Sequence, residues 1–209
     1  MHEGLSLTDA LIKRCFDVVV ALVGLSFSFW LILLAWIAAS IDTCSNGFFI
    51  QQRVGRNGRL FKVVKIKTMR QVRGIETTIT ADNDPRITKL GAFFRKTKID
   101  ELPQLWNVLL GQMSFVGPRP DVPGYADKLV GEERLVLTIR PGITGPATLK
   151  YKNEEALLAA QADPAKYNDE VIFPDKVKIN MGYIKNYSFL KDLNYISQTL
   201  FVRGCNHDA

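Results

Sequence analysis

The sequence predicts a helix-rich α+β protein in which one long apolar helix precedes a smaller mixed region. Residues 18–41 contain no charged side chain, which predicts a helix in apolar surroundings. Two short segments rich in Phe, Val and Ile then flank Asn57-Gly58, a strong signal for a β-hairpin. Segments with helical spacing of apolar residues follow. The fold class therefore comprises an apolar helix, a short hairpin and several amphipathic helices.

The apolar run divides the chain into two parts. At 209 residues the chain is long enough for one domain with a core and too short for two full-sized domains. We expect a membrane-associated helix within residues 1–42 and one soluble functional unit over residues 43–209.

The apolar helix has two interpretations. Its 24 uncharged positions exceed the roughly 20 residues that cross a hydrocarbon core, which favours a spanning helix and argues against a cleaved signal peptide. Basic residues on both flanks favour a re-entrant helix pair instead, because they prefer the cytoplasmic side. The flanking residues are Lys13, Arg14, Arg53, Arg56, Arg59 and Lys62. Ser26 and Ser28 can bond to backbone carbonyls at the required break, although the run contains no proline.

The soluble part predicts short elements in a fixed order. The predicted strands are Phe48–Val54 and Leu60–Ile66, a polar loop covers Gln71–Pro85, and the predicted helices are Ile87–Lys98, Leu102–Leu110, Tyr125–Thr138 and Asp175–Tyr187. The amphipathic tail Phe189–Val202 fits either a membrane surface or a packed core face. The hairpin and helices are thus expected to form the soluble unit.

Charge and cysteine content limit the partners and exclude two kinds of scaffold. Lys and Arg outnumber Asp and Glu by 27 to 21, for a net charge of +6, which suits lipid head groups, nucleotide phosphates or nucleic acid. The basic residues are dispersed and form no nucleic-acid motif, so a nucleic-acid partner is not expected. The three cysteines share no metal-ligand spacing, and we expect neither a disulfide framework nor a zinc site.

Asp100 and Glu101 are the leading candidates for chemistry. They precede Leu102-Pro103-Gln104, and Pro103 places them at a helix start, where a carboxylate is stabilised by the helix dipole. Adjacent positions point in different directions, so one carboxylate can attack or bind metal while the other orients it. The competing interpretation is a helix cap, since Thr97 to Asp100 also matches a capping box.

Basic residues on turns and on one strand are candidates for phosphate binding. Arg119 lies between two prolines, which suits forked binding of a phosphate, and Arg140 in Arg-Pro-Gly-Ile-Thr-Gly has a similar setting. Lys65 and Lys67 share one face of the second predicted strand. Each also has a simpler interpretation, as a solvated side chain on a rigid turn or on an edge strand.

Ordered blocks of sequence resemble a known family. These blocks are Lys13-Arg14-Cys15-Phe16-Asp17, Phe61-Lys62 through Lys67-Thr68-Met69, Asp84-Pro85-Arg86-Ile87-Thr88, Asp100-Glu101-Leu102-Pro103-Gln104-Leu105-Trp106-Asn107-Val108, Gly111 through Pro120, and Arg140-Pro141-Gly142-Ile143-Thr144-Gly145. Together they resemble the bacterial sugar transferase family of small monotopic phosphoglycosyl transferases. The order of the blocks makes this resemblance far more specific than any one motif.

The resemblance implies a two-step reaction at the cytoplasmic face of the bacterial inner membrane. Asp100 would attack the β-phosphate of a UDP-sugar, releasing UMP, and undecaprenyl phosphate would then take the phosphosugar from Asp100. Mg²⁺ would be held by Asp100 and Glu101. Arg119 is the leading phosphate ligand, and Lys65, Lys67, Arg86 and Arg140 are secondary candidates. Membrane phospholipids are expected partners, and a homo-oligomer is compatible with the sequence.

One departure from the family and two rival hypotheses accompany this resemblance. Family members commonly have Ser-Pro in the middle of the membrane helix, where this chain has Phe29-Trp30. One rival is a non-catalytic, membrane-tethered basic protein that binds anionic lipid or a protein partner. The other keeps the fold but transfers the phosphosugar directly in a ternary complex. The sequence does not indicate which sugar is transferred.

Overall fold

The helix-rich α+β class is confirmed by the computed structural model, which describes residues 4–70 and 84–201. The helices are α1 (Leu7–Thr43), α2 (Lys89–Thr97), α3 (Gln104–Leu109), α4 (Pro146–Lys150), α5 (Glu154–Ala159), α6 (Pro164–Tyr167), α7 (Phe173–Lys185) and α8 (Phe189–Phe201). The strands are β1 (Phe48–Val54), β2 (Leu60–Ile66), β3 (Ser114–Val116) and β4 (Gly142–Thr144). Short 3-10 helices cover Arg56–Gly58, Ile99–Glu101, Ala126–Lys128 and Gly131–Leu137, and a π-helical turn covers Asn168–Ile172.

Helix α1 is one uninterrupted helix of 37 residues, about 55 Å long at 1.5 Å per residue. It is long and apolar enough to cross a membrane by length and composition. The interruption between two helices that the sequence suggested is not seen. Ser26 and Ser28 do bond to backbone carbonyls, those of Leu22 and Gly24 one turn earlier, a pattern that bends helices without breaking them.

Both halves of α1 pack against the same folded unit. In the first half, the Arg14 guanidinium donates to the carbonyls of Val108 and Leu109 at the end of α3. In the second half, the buried Ala35 and Ala39 pack in a cluster with Ile66 and Phe94. Asp17 and Ala21 between these contacts are buried as well, but none of residues 22–34 is buried, and Phe27 and Trp30 are exposed. The middle of α1 is therefore its least covered part.

The predicted β-hairpin is confirmed with its predicted bounds. β1 and β2 pair antiparallel from Phe48 opposite Ile66 to Val54 opposite Leu60. Asn57 and Gly58 in the connecting loop have φ values of 59° and 76°, which Asn and Gly tolerate better than other residues. Local turn chemistry thus sets the register of the hairpin.

Three of the four helices predicted before the C-terminal tail are present with shifted ends, whereas the fourth, over Tyr125–Thr138, is not formed. In place of a helix over Tyr125–Thr138 the chain forms two 3-10 helices. Val130 between them is extended, with φ −124° and ψ 166°, and Gly131 has a φ of 58°. These backbone angles interrupt the helix even though the spacing of apolar residues continues. The predicted loop Gln71–Pro85 falls largely outside the described residues.

A parallel pairing of β3 and β4 joins two motif turns that the sequence did not connect. Ser114 lies opposite Gly142 and Val116 opposite Thr144. A Cβ at Gly142 would lie 2.2 Å from the Gly117 nitrogen, and one at Gly145 would lie 2.4 Å from the Gly117 oxygen. Only glycine allows the two backbones to approach this closely. This contact fixes the turn that carries Arg119.

Helix α8 packs on the core with one face and is exposed on the other. Tyr195 and Ile196 pack against the main hydrophobic cluster, whereas Leu190 and Leu200 are exposed. The amphipathic pattern therefore reflects core packing on one face, and its outer face remains available for a membrane surface.

Candidate active site

A cavity of about 2190 Å³ contains the predicted carboxylates and most of the predicted basic residues. Its wall includes β2, the 3-10 helix Ile99–Glu101, the turn 118–122 and the region from α4 to α7. Phe16 and Val20 of α1 and Ile196 and Leu200 of α8 also line it. The cavity thus joins charged groups to apolar residues of the two terminal helices.

Asp100 is buried in this wall without a hydrogen-bond partner. It follows Lys98, whose φ of 61° ends α2 and redirects the chain into the 3-10 helix. The residue is only 7% exposed, and its Oδ1 atom bonds to none of the described residues. Burial raises the pKa of Asp100, and the adjacent Glu101 raises it further, while Lys65 and Lys98 oppose the shift. The carboxylate is therefore a weakly solvated oxygen donor.

The capping interpretation of Asp100 is wrong for the described residues. A capping side chain accepts a hydrogen bond from a backbone N–H at the helix start, and the Asp100 carboxylate accepts none there. Thr97, the other half of the proposed capping box, donates its hydroxyl to the carbonyls of Phe93 and Phe94. The helix end thus leaves Asp100 free for another role.

Glu101 has the opposite environment. Its Oε1 atom accepts one hydrogen bond from Lys65 Nζ and one from Arg119 Nη2, both at 3.0 Å. Burial alone would raise the pKa of Glu101, but Arg119 and Lys65 hold it below its usual range. Burial also lowers the pKa of Lys65, against the attraction of Glu101. Glu101 is thus an ionised anchor for two cations.

The turn that carries Arg119 is held from two sides. On one side the Gly117 amide donates to the Thr144 carbonyl, and the Gly142 amide donates to the Pro118 carbonyl. On the other side the Arg53 guanidinium donates to the Pro120 carbonyl at 3.1 Å. The Arg119 side chain remains 45% exposed, although Glu101 raises its pKa. Its position beside Glu101 leaves other N–H groups open to a ligand.

Three further predicted phosphate ligands are placed differently from one another. Lys67 lines the cavity and donates to the Ser45 hydroxyl at 2.7 Å. Arg86 lines it too and pairs with Asp84 at 2.6 Å. Arg140 lies outside the cavity wall, where its Nε donates to the Gly111 carbonyl at 2.8 Å. The structure therefore brings together Asp100, Glu101, Lys65 and Arg119, with Lys67 and Arg86 on the same wall and Arg140 elsewhere.

The sequence did not identify a second charged group in the cavity. Lys176 of α7 donates to both carboxylate oxygens of Glu154, at 2.6 and 2.7 Å. Burial raises the pKa of Asp121 to about 6, although Lys176 and Arg53 oppose the shift. The only signal for Asp121 was its position directly after the Arg119 turn. Glu154 and Lys176 carried no motif.

The two adjacent carboxylates can hold a magnesium ion. The described residues contain no group of three or more His, Cys, Asp and Glu side chains placed to bind a metal. Mg²⁺ needs fewer protein ligands, because it is commonly held by one or two carboxylates together with phosphate oxygens. Asp100 Oδ1 has no partner, and both hydrogen bonds to Glu101 go to Oε1, which leaves Oε2. The donor set therefore fits a site completed by a phosphorylated substrate.

Known proteins resemble this chain over most of its length. The family model described as bacterial sugar transferase matches residues 8–204. The exopolysaccharide production protein PSS of Rhizobium leguminosarum bv. phaseoli is 34% identical over 202 residues, which cover 92% of this chain and 94% of that protein.

Two longer relatives extend the comparison. An uncharacterized sugar transferase of Haemophilus influenzae is 32% identical over 219 residues, covering 97% of this chain and 43% of that protein. The UDP-N-acetylgalactosamine-undecaprenyl-phosphate N-acetylgalactosaminephosphotransferase of Aeromonas hydrophila is 32% identical over 197 residues, covering 91% of this chain and 43% of that protein. This chain spans less than half the length of these two relatives. With the family model covering nearly the whole sequence, the chain belongs to the bacterial sugar transferase family.

Proposed function

We propose that this protein transfers a sugar 1-phosphate from a UDP-sugar to undecaprenyl phosphate and releases UMP. The observation that carries the proposal is the buried Asp100 carboxylate, which has no hydrogen-bond partner and lies beside a Glu101 that anchors Lys65 and Arg119. The name of the Aeromonas hydrophila relative, an undecaprenyl-phosphate phosphotransferase, supports the same reaction class.

In the first step Asp100 acts as the nucleophile. A lone pair on one of its carboxylate oxygens forms a bond to the β-phosphorus while the bond from that phosphorus to the bridging oxygen breaks. UMP leaves with the bonding electrons, and the phosphosugar remains on the Asp100 carboxylate. Burial favours this role because a poorly solvated carboxylate has little water to lose before it attacks. Covalent catalysis of this kind divides a difficult transfer into two displacements.

Glu101 acts as a positioning residue. Its ionised carboxylate holds the Lys65 ammonium and the Arg119 guanidinium at one point of the wall. Charged groups fixed in advance stabilise developing phosphate charge without reorganising during the reaction. Arg119 is the best placed to bind phosphate oxygens in a forked manner, because it is only partly buried.

Asp100 and Glu101 would also hold Mg²⁺. When bound, this ion supplies positive charge that offsets the phosphate charges during in-line displacement. The remaining work falls to the chain: Asp100 provides the reacting oxygen, and Lys65 and Arg119 orient the phosphates.

In the second step a phosphate oxygen of undecaprenyl phosphate attacks the phosphorus of the aspartyl phosphosugar. The bond to Asp100 breaks, the carboxylate is regenerated, and the product is a polyprenyl diphosphate sugar. Apolar side chains of α1 and α8 line the same cavity as Asp100, which supports access for a lipid carrier. Direct transfer in a ternary complex is the alternative, and it would leave no phosphosugar on Asp100.

The packing of α1 supports a monotopic arrangement, which we propose lies at the cytoplasmic face of the inner membrane. Arg14 near its start bonds to α3, and Ala39 near its end packs with Ile66 and Phe94. A helix that crossed the membrane would place these two ends on opposite sides of the hydrocarbon core, where one folded unit could not contact both. We therefore place both ends of α1 on one side, with its exposed middle in the phospholipid layer.

The test is UMP release by detergent-solubilised protein with Mg²⁺ and a panel of UDP-sugars. We expect multiple-turnover release that requires both undecaprenyl phosphate and Asp100, because without the acceptor each protein can release only the one UMP of the first step. The matched control is Asp127→Asn, because Asp127 is exposed and lies outside the cavity wall. Absence of release from folded wild-type protein across the panel would instead favour the membrane-tethered binding protein.

A further inference from the structure

Two polar side chains on the cavity wall are buried without partners. Asn180 of α7 is 7% exposed, and its amide makes no hydrogen bond to the described residues. The Thr148 hydroxyl of α4 is likewise buried and unpartnered. Both residues line the cavity. A buried polar group without a hydrogen bond is costly and uncommon, so these two groups indicate that a ligand provides their missing partners.

The surrounding residues connect these groups to the proposed phosphate site. Asn180 lies one helical turn after Lys176 on α7, and Lys176 is paired with Glu154. We name Thr148, Glu154, Lys176 and Asn180 the α4–α7 wall. Glu154 and Asp121 interact electrostatically with each other and with Arg119, the proposed phosphate ligand. The α4–α7 wall is therefore continuous with the region that would bind the phosphates.

We propose that the α4–α7 wall binds the sugar ring of the donor, with Asn180 and Thr148 as specificity-determining residues. This inference rests on the proposed function, since it concerns the donor of that reaction. The sugar ring fills this side of the cavity, and the two side chains distinguish one sugar from another.

The chemistry of the wall favours a sugar over a nucleobase. Each sugar hydroxyl both donates and accepts, which matches the Asn180 amide, the Thr148 hydroxyl and the Glu154–Lys176 pair. A nucleobase commonly stacks on a free aromatic face, and none of the four residues of the α4–α7 wall is aromatic. The adjacent Tyr151 ring lies under the ammonium groups of Lys150 and Lys176, at 5.5 and 5.6 Å from its centroid. The sugar is also bonded directly to the phosphate that reacts, whereas the base lies beyond a second phosphate and a ribose.

The experiment compares Asn180→Leu and Thr148→Val with wild type on UDP-glucose, UDP-galactose and their two N-acetylamino counterparts. Both replacements keep the side-chain size similar while removing the polar groups. Inhibition by UMP and the melting temperature are measured on the same preparations. Asn186→Leu is the matched control, because Asn186 is an exposed asparagine at the end of α7 and lies outside the cavity wall.

We expect kcat/KM for the preferred sugar to fall about tenfold in Asn180→Leu, in line with the loss of one hydrogen bond. Its ratio to the other sugars should change, while UMP inhibition should match that of wild type. The melting temperature should stay level or rise, because an unpartnered amide is removed; a residue with a purely structural role would lower it. Thr148→Val provides the same comparison if Asn180→Leu does not fold.

Two results would overturn the inference. Unchanged ratios between sugars in both variants would exclude a role in sugar recognition, and weakened UMP inhibition in parallel with kcat/KM would assign the wall to the nucleoside. These results require an active wild type. A folded wild type that releases no UMP from any sugar would overturn the proposed function itself, and with it this inference.

Discussion

Asp100 and Glu101 are adjacent in the chain, yet their carboxylates have opposite surroundings. Glu101 Oε1 accepts hydrogen bonds from Lys65 and Arg119, whereas Asp100 Oδ1 is buried without any partner among the described residues. Successive positions of the 3-10 helix point in different directions, so one carboxylate faces the cations and the other does not. This difference gives each residue separate consequences on substitution.

Asp100→Asn should abolish turnover without destabilising the fold. An amide cannot act as the nucleophile, and loss of a catalytic nucleophile can reduce kcat by about 10⁶-fold. The free energy of unfolding should stay level or increase, because the buried carboxylate makes no hydrogen bond that the variant would lose. Turnover is measured by UMP release and stability by thermal melting.

A covalent intermediate makes a further prediction for the wild type. Protein is incubated, in the absence of undecaprenyl phosphate, with a UDP-sugar whose sugar carries the radiolabel. The wild type should retain label after denaturation, and Asp100→Asn should retain none. Label that is absent from active wild type would favour direct transfer in a ternary complex.

Arg119→Gln should impair catalysis far more than stability. The Arg119 side chain is 45% exposed and that of Glu101 is 12% exposed, but Lys65 remains paired with Glu101 in the variant, so the buried carboxylate is not left without a partner. Removing a preorganised charge from phosphate oxygens should lower kcat/KM by roughly 10²- to 10³-fold. The control is Arg59→Gln in the hairpin loop, because Arg59 is exposed and outside the cavity wall. Equal kcat/KM for both variants would exclude Arg119 as a phosphate ligand.

Asp192 and Lys13 should determine whether α8 stays attached to α1. Buried Asp192 accepts hydrogen bonds from Lys13 and from the hydroxyls of Tyr183 and Tyr187. Removing one partner of a buried ion pair commonly costs about 3–5 kcal/mol. Asp192→Ala should therefore lower the free energy of unfolding by this amount, as measured by denaturant titration.

A double substitution tests whether the loss of stability comes from a buried charge that is left without its partner. Lys13→Met combined with Asp192→Leu should be more stable than Asp192→Ala, because no buried charge is then left alone. Exposed Asp169→Ala is the control. A double variant less stable than Asp192→Ala would mean that the network as a whole, including the two tyrosines, holds α8.

The sequence predicted the parts of this structure that depend on local chemistry. The hairpin follows from two segments rich in Phe, Val and Ile and from the Asn57-Gly58 turn, and α1 follows from its uncharged run. The β3–β4 pairing was missed because three-residue strands give too little periodicity and their partners are distant in sequence. Motifs identified Asp100, Glu101 and Arg119 but not side-chain direction, which is why Arg140 was expected at the site and lies elsewhere. Asn180 could not be recognised, because only the structure shows that its amide lacks a partner.

Gly142→Ala should destabilise the turn that positions Arg119. The added Cβ would lie 2.2 Å from the Gly117 nitrogen, a contact that requires the β3–β4 pair to separate. Such overpacking typically costs about 1–3 kcal/mol, and kcat/KM should fall with it as Arg119 is displaced. Gly182→Ala is the control, because a Cβ there meets no atom within 4 Å. Equal stability of the two variants would show that the turns can separate without cost.

Asp121 should make the stability of the protein depend on pH between about 4 and 6. Burial raises its pKa from 3.8 to about 6 in the folded state, so in this range the folded protein binds a proton that the unfolded chain has released. The contribution of Asp121 to stability must therefore fall as the pH rises through this window and level off above about pH 6. Asp121→Asn cannot ionise, so this part of the slope should disappear and stability at pH 7 should exceed that of wild type.

Denaturant titrations from pH 4 to 8 measure both effects, with exposed Asp163→Asn as the control because Asn caps a helix as well as Asp does. An unchanged slope in Asp121→Asn would mean that Lys176 and Arg53 keep this carboxylate ionised throughout the range, and Asp121 would then act as a fixed negative charge beside Arg119.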